Sequence, residues 1–369
     1  MKIGLCMIVK NEAALIERCL NSVRPLIDFV LIEDNGSTDG TQDIIRNWLD
    51  QYNIPGRVLN VPWHDFGSNR THVLATLRTH TEIDYAFMMD ADDIVVIDSN
   101  FDLQAWKANL TADLYSIEIR LANIRFYRSQ LFSNKVDFVY RGVLHEYLVA
   151  PQGCEQADVS GFYIAARVEG SRSQDPNKYR KDAVLLTGAL DRETDPFLRS
   201  RYTFYLAQSW RDCGESKLAL DTYLKRAELE FWDQEIFISL YRAGQLMEQL
   251  KYPGYVIIGM YLKAWQICPT RAESLHAVAR YSRLTNQFQI GYTLAKKGME
   301  LFEPKGALFS ETWIYDYGMQ DEFAINAYYT GYYKESRDAC LWLLRISNLP
   351  DSERSRVTKN LQFAQEKLT

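Results

Sequence analysis

The chain has 369 residues, long for one domain, and its 47% hydrophobic and 24% charged residues describe an ordinary globular protein with a core of normal size. A formal net charge of −6 provides no basic field for nucleic acid, which excludes that class of partner. No apolar run approaches the roughly 20 residues of a membrane span, and the six cysteines are scattered without a CxxC pair, as reduced thiols are, so a cytoplasmic protein is expected.

Residues 3–9 read as a first buried strand that ends at Lys10-Asn11-Glu12, too short and too soon interrupted for a signal peptide. Ala14, Leu15, Cys19, Leu20 and Val23 then draw a helical stripe over 12–23. A second strand over 29–32 runs into Glu33-Asp34-Asn35-Gly36-Ser37-Thr38-Asp39-Gly40-Thr41, a tract of turn formers and N-caps that opens a helix over 42–52. A third strand over 58–61, a helix over 68–79 and a fourth strand over 85–89 follow. Strands alternating with helices predict a parallel α/β sheet, whose ligands lie at the C-terminal strand ends.

The stretch 85–93 concentrates the chemistry. Five apolar or aromatic residues run into Asp90, Asp92 and Asp93, with Ala91 between the first two. Carboxylates so close repel one another, and burying them is costly unless a cation lies between them. Oxygen-only ligands suit Mg²⁺ or Mn²⁺ rather than Zn²⁺. The competing reading is a strand-to-helix turn with one Asp as N-cap.

Three blocks, Cys6-Met7-Ile8-Val9-Lys10-Asn11-Glu12, the 33–41 tract and Asp90-Ala91-Asp92-Asp93, occur in order at strand ends and resemble the nucleotide-sugar-binding half of a family-2 glycosyltransferase. The resemblance implies a GT-A type sheet with helices on both faces. It implies that Asp34 hydrogen-bonds the nucleotide base, with Ile8, Val9 and Glu12 lining the same pocket. A carboxylate accepts the imide N–H of uracil, which favours a UDP-sugar. Arg70 matches a basic residue near the base. Asp90 would contact the ribose or the metal, with Ala91 beside it in the donor site, and Asp92 would ligate the metal through the diphosphate. Asp93 would support them or cap a helix.

Strand-like runs over 114–119 and 137–140 lie on the acceptor side. Arg128-Ser129-Gln130-Leu131-Phe132 and then Gly142-Val143-Leu144-His145-Glu146 resemble the family's second block. An inverting transfer needs one base to take the acceptor's proton. Glu146 is the candidate, with His145 as a third metal ligand, or with the two roles exchanged. The polar stretch 167–176 is either a linker or a loop over the donor with Arg172 on the diphosphate.

From 177 onward the period becomes helical to the end of the chain. Ala207, Trp210, Ala219 and Tyr223 stand at offsets 0, 3, 12 and 16, as do Ala279, Ser282, Gly291 and Ala295, and Ala327, Thr330, Ala339 and Leu343. This is tetratricopeptide-like spacing, interrupted by an insertion around 303–320. Pro269-Thr270-Arg271-Ala272-Glu273 and 326–331 resemble motifs of a group that joins such repeats to a family-2 transferase. The reading is therefore α/β plus all-α, with a transferase domain at 1–175 and a repeat domain at 176–369. Its function would be metal-dependent transfer from a nucleotide sugar to a glycan, lipid-linked or protein acceptor, and the repeats could pair two copies. The alternatives are an inactive tetratricopeptide scaffold and a sugar-nucleotide hydrolase using the same site.

Overall fold

In the computed structural model, which describes residues 1–121 and 124–369, the N-terminal apolar run is strand β1 (Ile3–Val9). Along it Ile3, Leu5, Met7 and Val9 pack into one layer with Leu20, Ile45 and Trp48, while Cys6 packs into the opposite layer with Val73 and Leu77. This period of two, with both faces apolar, marks a strand covered on each side. Gly4 is part of the design, because a Cβ there would stand 2.9 Å from Leu77, whose helix lies against the sheet.

The chain continues through α1 (Ile16–Val23), β2 (Phe29–Asp34), α2 (Thr41–Tyr52), β3 (Gly56–Asn60), α3 (Phe66–Arg78) and β4 (Tyr85–Met88). These elements follow the predicted order. Next come β5 (Ile94–Ile97), α4 (Leu103–Ala108), β6 (Leu114–Leu121), β7 (Ile124–Ser133), β8 (Val139–Arg141), β9 (Tyr147–Val149), β10 (Gln156–Asp158), β11 (Phe162–Ala165) and α5 (Lys178–Leu190). One sheet runs β3-β2-β1-β4-β7-β6-β11-β5, with β10 also on β6.

The sheet is mixed rather than parallel. Strands β1 to β4 are parallel, but β7 runs against β4 and β6, and β5 against β11. The reason is local: β6 and β7 follow each other too closely for the crossover that parallel pairing needs. A separate two-stranded ribbon, β8 with β9, presents the 142–146 loop between its strands.

Two compact units divide at Met1–Ala189 and Leu190–Thr369. Helix α5, expected with the repeats, packs with the first unit. Its Asp182 pairs with Arg172, and its Lys181 with Asp175 at 2.5 Å.

The second unit is α6 (Pro196–Asp212), α7 (Ser216–Ala227), α8 (Asp233–Gln249), α9 (Gly254–Ile267), α10 (Glu273–Leu284), α11 (Phe288–Gly298), α12 (Met319–Tyr329), α13 (Tyr333–Leu343) and α14 (Asp351–Glu366). The small residues at the repeat offsets are buried at the helix contacts: Ala207, Ala219, Ala279, Ala295, Ala327 and Ala339. Gly291 shows why small size matters, since a Cβ there would fall 2.2 Å from Asn326 Oδ1. Among the described residues no helix is long and apolar enough to cross a membrane, and all six cysteines are free.

Candidate functional site

Parallel pairing sets Val9 beside Asp34 and Cys6 beside Met88, so the acidic tracts after β1, β2 and β4 converge at one edge of the sheet. Asp34 closes β2 and is 1% exposed. Its Oδ1 accepts from Gly36 N (3.0 Å), Ser37 N (2.8 Å) and Gln42 Nε2 (2.9 Å), a turn that Gly36 permits with its φ of 92°. Its Oδ2 is buried and has no hydrogen-bond partner among the described residues. The turn is tied to the end of β1: Asn35 N donates to Val9 O, Asn11 N to Ser37 Oγ and Thr38 N to Asn11 Oδ1. Ile8 is half-buried and Val9 buried at this corner.

Glu12 follows directly. Its amide donates to Thr41 Oγ1, its Oε1 accepts from Ser171 N at 3.1 Å, and its Oε2 is a second buried carboxylate oxygen without a partner among the described residues. Burial pushes the Glu12 carboxyl above the ordinary carboxylate range; the Ser171 hydrogen bonds oppose this, and Asp92 and Asp39 add to it. Asp92 Oδ2 accepts from Gly170 N (3.1 Å) and Glu169 N (3.3 Å). Backbone amides 169–171 thus bind two of the site's carboxylates, with Glu169 anchored on Arg18 at 2.6 Å. Gly170 fits closely: a Cβ there would lie 3.3 Å from both Asp92 Oδ2 and Glu12 Oε1.

Arg70 is the hub on the other side. It lies one turn into α3, which Asp65 caps by accepting from Ser68 N, and Gly67 lets this turn touch the 142–146 loop, since a Cβ there would meet Gly142 O at 2.6 Å. The Arg70 side chain is 11% exposed; its Nη2 donates to Asp90 Oδ1 at 2.5 Å and its Nε to Glu146 Oε1 at 2.6 Å. Burial disfavours the Arg70 cation, but Asp90 and Glu146 outweigh that and raise its pKa. Burial likewise opposes ionisation of Asp90, and Arg70 and Arg128 reverse the balance and hold it below the ordinary value. Asp93, 3% exposed, is pushed up to about 7 by burial and then by Asp90, although Arg128 Nη2 stands 3.3 Å from its Oδ2.

The structure brings Asp90, Arg70 and Glu146 together, and separately Glu12 and Asp92 through the 169–171 amides. Arg70, expected near the base, contacts Asp90 and Glu146. Arg172, expected on a diphosphate, pairs with Asp182 and lies over the Phe66 ring at 4.7 Å. His145 adopts a left-handed backbone, φ 54°, a conformation that costs a non-glycine residue energy and recurs at functional sites. Ala91 is buried in the core below the carboxylates.

Among the described residues no three His, Cys, Asp or Glu side chains gather at metal-binding spacing. Asp90 is turned toward Arg70. Asp92 offers carboxylate oxygen, the donor type that hard divalent cations take alongside phosphate oxygens.

Two partners were missed from sequence. Arg128 stands 3.8 Å from Asp90 as well as against Asp93. The β4–β7 register, Tyr85 to Ser133 through Phe87 to Leu131, sets Arg128 opposite Asp90 when continued three places. The 169–171 amides carry no side-chain signal at all.

Residues 5–147 match the family model described as Glycosyl transferase family 2. A TPR repeat-containing protein of Synechococcus elongatus is 27% identical over 150 residues, 39% of this chain and 35% of that protein. The abequosyltransferase RfbV of Salmonella typhimurium is 29% identical over 120 residues, 31% of this chain and 35% of that protein. The chain thus spans about a third of the length of these relatives. Among solved structures, S. aureus TarS 1–349 in complex with UDP-GlcNAc aligns at 14% identity and a TM-score of 0.37, covering 79% of this chain and 92% of that one.

Proposed function

We propose, from the match of residues 5–147 to the Glycosyl transferase family 2 model, that the protein moves a sugar from a UDP-sugar to an acceptor hydroxyl, with inversion and with Mn²⁺ or Mg²⁺ at the diphosphate. The observation that carries the donor assignment is Asp34 Oδ2, a buried acceptor at the end of β2 that lacks a partner among the described residues. Leaving such a group unsatisfied costs about 1–3 kcal/mol, and the imide N–H of uracil satisfies it. Ile8, Val9 and Glu12 line the same corner, and Asp90 faces the ribose.

Asp92 would hold the cation, which when bound supplies charge neutralisation at the departing diphosphate. The chain's own residues do the rest. Glu146 takes the proton of the acceptor hydroxyl as that oxygen forms its bond to the anomeric carbon. The bond from that carbon to the β-phosphate oxygen breaks, and its electron pair leaves with UDP. Arg70 orients Glu146 and links it to Asp90 on the donor side. His145 stands next to Glu146 as the other residue able to take the proton.

The deciding experiment is a thermal-shift comparison of UDP, GDP and CDP with Mn²⁺, followed by a donor panel read as nucleotide release. A nucleotide at 100 times its dissociation constant adds about 2.7 kcal/mol. UDP is expected to give that shift, and Asp34→Asn to weaken it about ten-fold, since a single amide oxygen cannot serve both the turn and the base. No shift with any nucleotide would leave a scaffold in place of an enzyme. Transfer that persists in EDTA would remove the metal, and UDP release equal with and without acceptor would make the protein a hydrolase.

A further inference from the structure

The insertion that interrupts the repeats is a built structure. Arg271 and Glu273, from the Pro269–Glu273 motif, are 0% exposed and pair at 2.5 Å. They reach out of the array to hold the insertion: Arg271 Nη1 donates to Leu308 O at 2.8 Å, and Tyr315 Oη donates to Glu273 Oε2 at 2.8 Å. The insertion ends in a π-helical turn, Ile314–Gly318, a rare form found frequently at functional sites. Gly318 is required there, because a Cβ would come 2.5 Å from the Trp313 ring.

Beside this turn the second unit contains a cavity of about 350 Å³, at the small end of ligand-binding sizes. Its lining has three features. Trp313, just before the turn, and Tyr317, within it, supply aromatic surface, and Trp313 is 42% exposed although it is large and apolar. The lining charges balance, with Arg280, Arg283 and Arg356 against Asp321, Glu322 and Glu353. They are also fixed in planar pairs: Arg283 forks onto Glu322 at 2.8 Å twice, and Arg356 onto Asp321 at 3.0 and 2.8 Å. Third, His276 is 5% exposed, and its ring stands edge-on to Trp313 with centroids 4.9 Å apart. Burial holds that imidazole neutral at ordinary pH, so it offers one donor and one acceptor.

A phosphate or nucleotide would need an excess of positive charge, and this cavity has none. Rigid planar donors and acceptors suit vicinal hydroxyls, a neutral imidazole suits a hydroxyl that both gives and takes a proton, and an exposed indole suits the C–H face of a pyranose. We propose that the Trp313–Tyr317 cavity is a binding site for a neutral saccharide of one or two rings. This rests on the transferase reading only for its purpose, which is to hold a saccharide acceptor or product.

The test uses the full chain and methyl glycosides of glucose, galactose, N-acetylglucosamine and rhamnose with their disaccharides, read by saturation-transfer NMR and calorimetry. At least one glycoside is expected to bind, with affinity lowered at least ten-fold by Trp313→Ala. Arg283→Lys keeps the charge and loses the fork, so it should weaken the same ligand and serves if Trp313→Ala fails to fold. UDP release from donor in water should be unchanged in Trp313→Ala. Asp92→Asn should leave saccharide binding intact, so loss of the donor reading and loss of this site are separable. The proposal is overturned if no glycoside binds the wild type, if both variants bind as wild type does, or if a peptide library binds at Trp313 instead.

Discussion

Both units bury charge, but they do so in opposite ways. In the second unit the buried carboxylates sit with arginines: Glu235 with Arg226, Glu273 with Arg271, Glu322 with Arg283. Arg226 is 0% exposed and completes its bonding on Leu229 O and Glu230 O. In the first unit Glu12 Oε2 and Asp34 Oδ2 are buried without partners among the described residues, and Asp90 and Asp93 crowd against Arg70 and Arg128. A carboxylate closed off in the interior with its arginine, as Glu235 and Glu273 are, belongs to the fold. One buried at a strand end with an oxygen left over is arranged for something that arrives later.

The largest effect should come from the end of the Arg70 chain in the first unit. Glu146→Gln keeps the shape and removes the proton acceptor, so turnover should fall by about 10²–10⁴-fold. The UDP-induced thermal shift should persist, because the side chain serves the acceptor and not the base. Wild-type turnover in this variant would hand the proton to His145. Arg70→Lys sharpens the same point, since a lysine cannot fork onto Asp90 and Glu146 together and should lower both turnover and donor binding.

The matching break in the second unit is Arg271→Ala, which strands Glu273 in the interior. Stability should drop by about 3–5 kcal/mol. Urea unfolding of the full chain, followed by far-UV circular dichroism and fitted with more than one transition, measures it. Replacing the pair together, Arg271→Met with Glu273→Leu, should recover most of the loss. A loss below about 1 kcal/mol for the single change would mean that the pair is not structural in the sense argued.

The same contrast explains what could be read from sequence. Strands β1 to β4 and their acidic ends were legible because buried runs and turn formers are local signals. The repeats were legible because small residues recur at fixed offsets. Strand β10 was not, since Gln156–Asp158 is largely polar and earns its place only by pairing with β6. The contact of Arg128 with Asp90 depends on strand register, and that of Asp92 with Gly170 on backbone amides, so neither leaves a pattern in the chain. The insertion at 303–320 stood out as a break in the repeat. Its turn and cavity depend on Trp313 meeting His276, with ring centroids 4.9 Å apart across distant sequence.

His276 supplies the smallest test, and it reads burial in the second unit through pH. Burial lowers its pKa from an ordinary 6.5 to about 4; Glu322 and Glu273 favour the charged form, while Arg280 and Arg283 oppose it. Between those values the unfolded chain binds a proton that the folded chain refuses, so stability is full above pH 6.5 and is lost as the pH falls toward 4. At pH 5 the loss should be about 2 kcal/mol relative to pH 7. Other groups titrate in the same window, so the comparison is with His276→Gln, which cannot take up the proton. The difference between wild type and variant, from urea midpoints at pH 7, 6 and 5, should shrink by that amount on acidification. A difference that stays constant would mean the imidazole is protonated inside the array, paired to Glu322 or Glu273 after all.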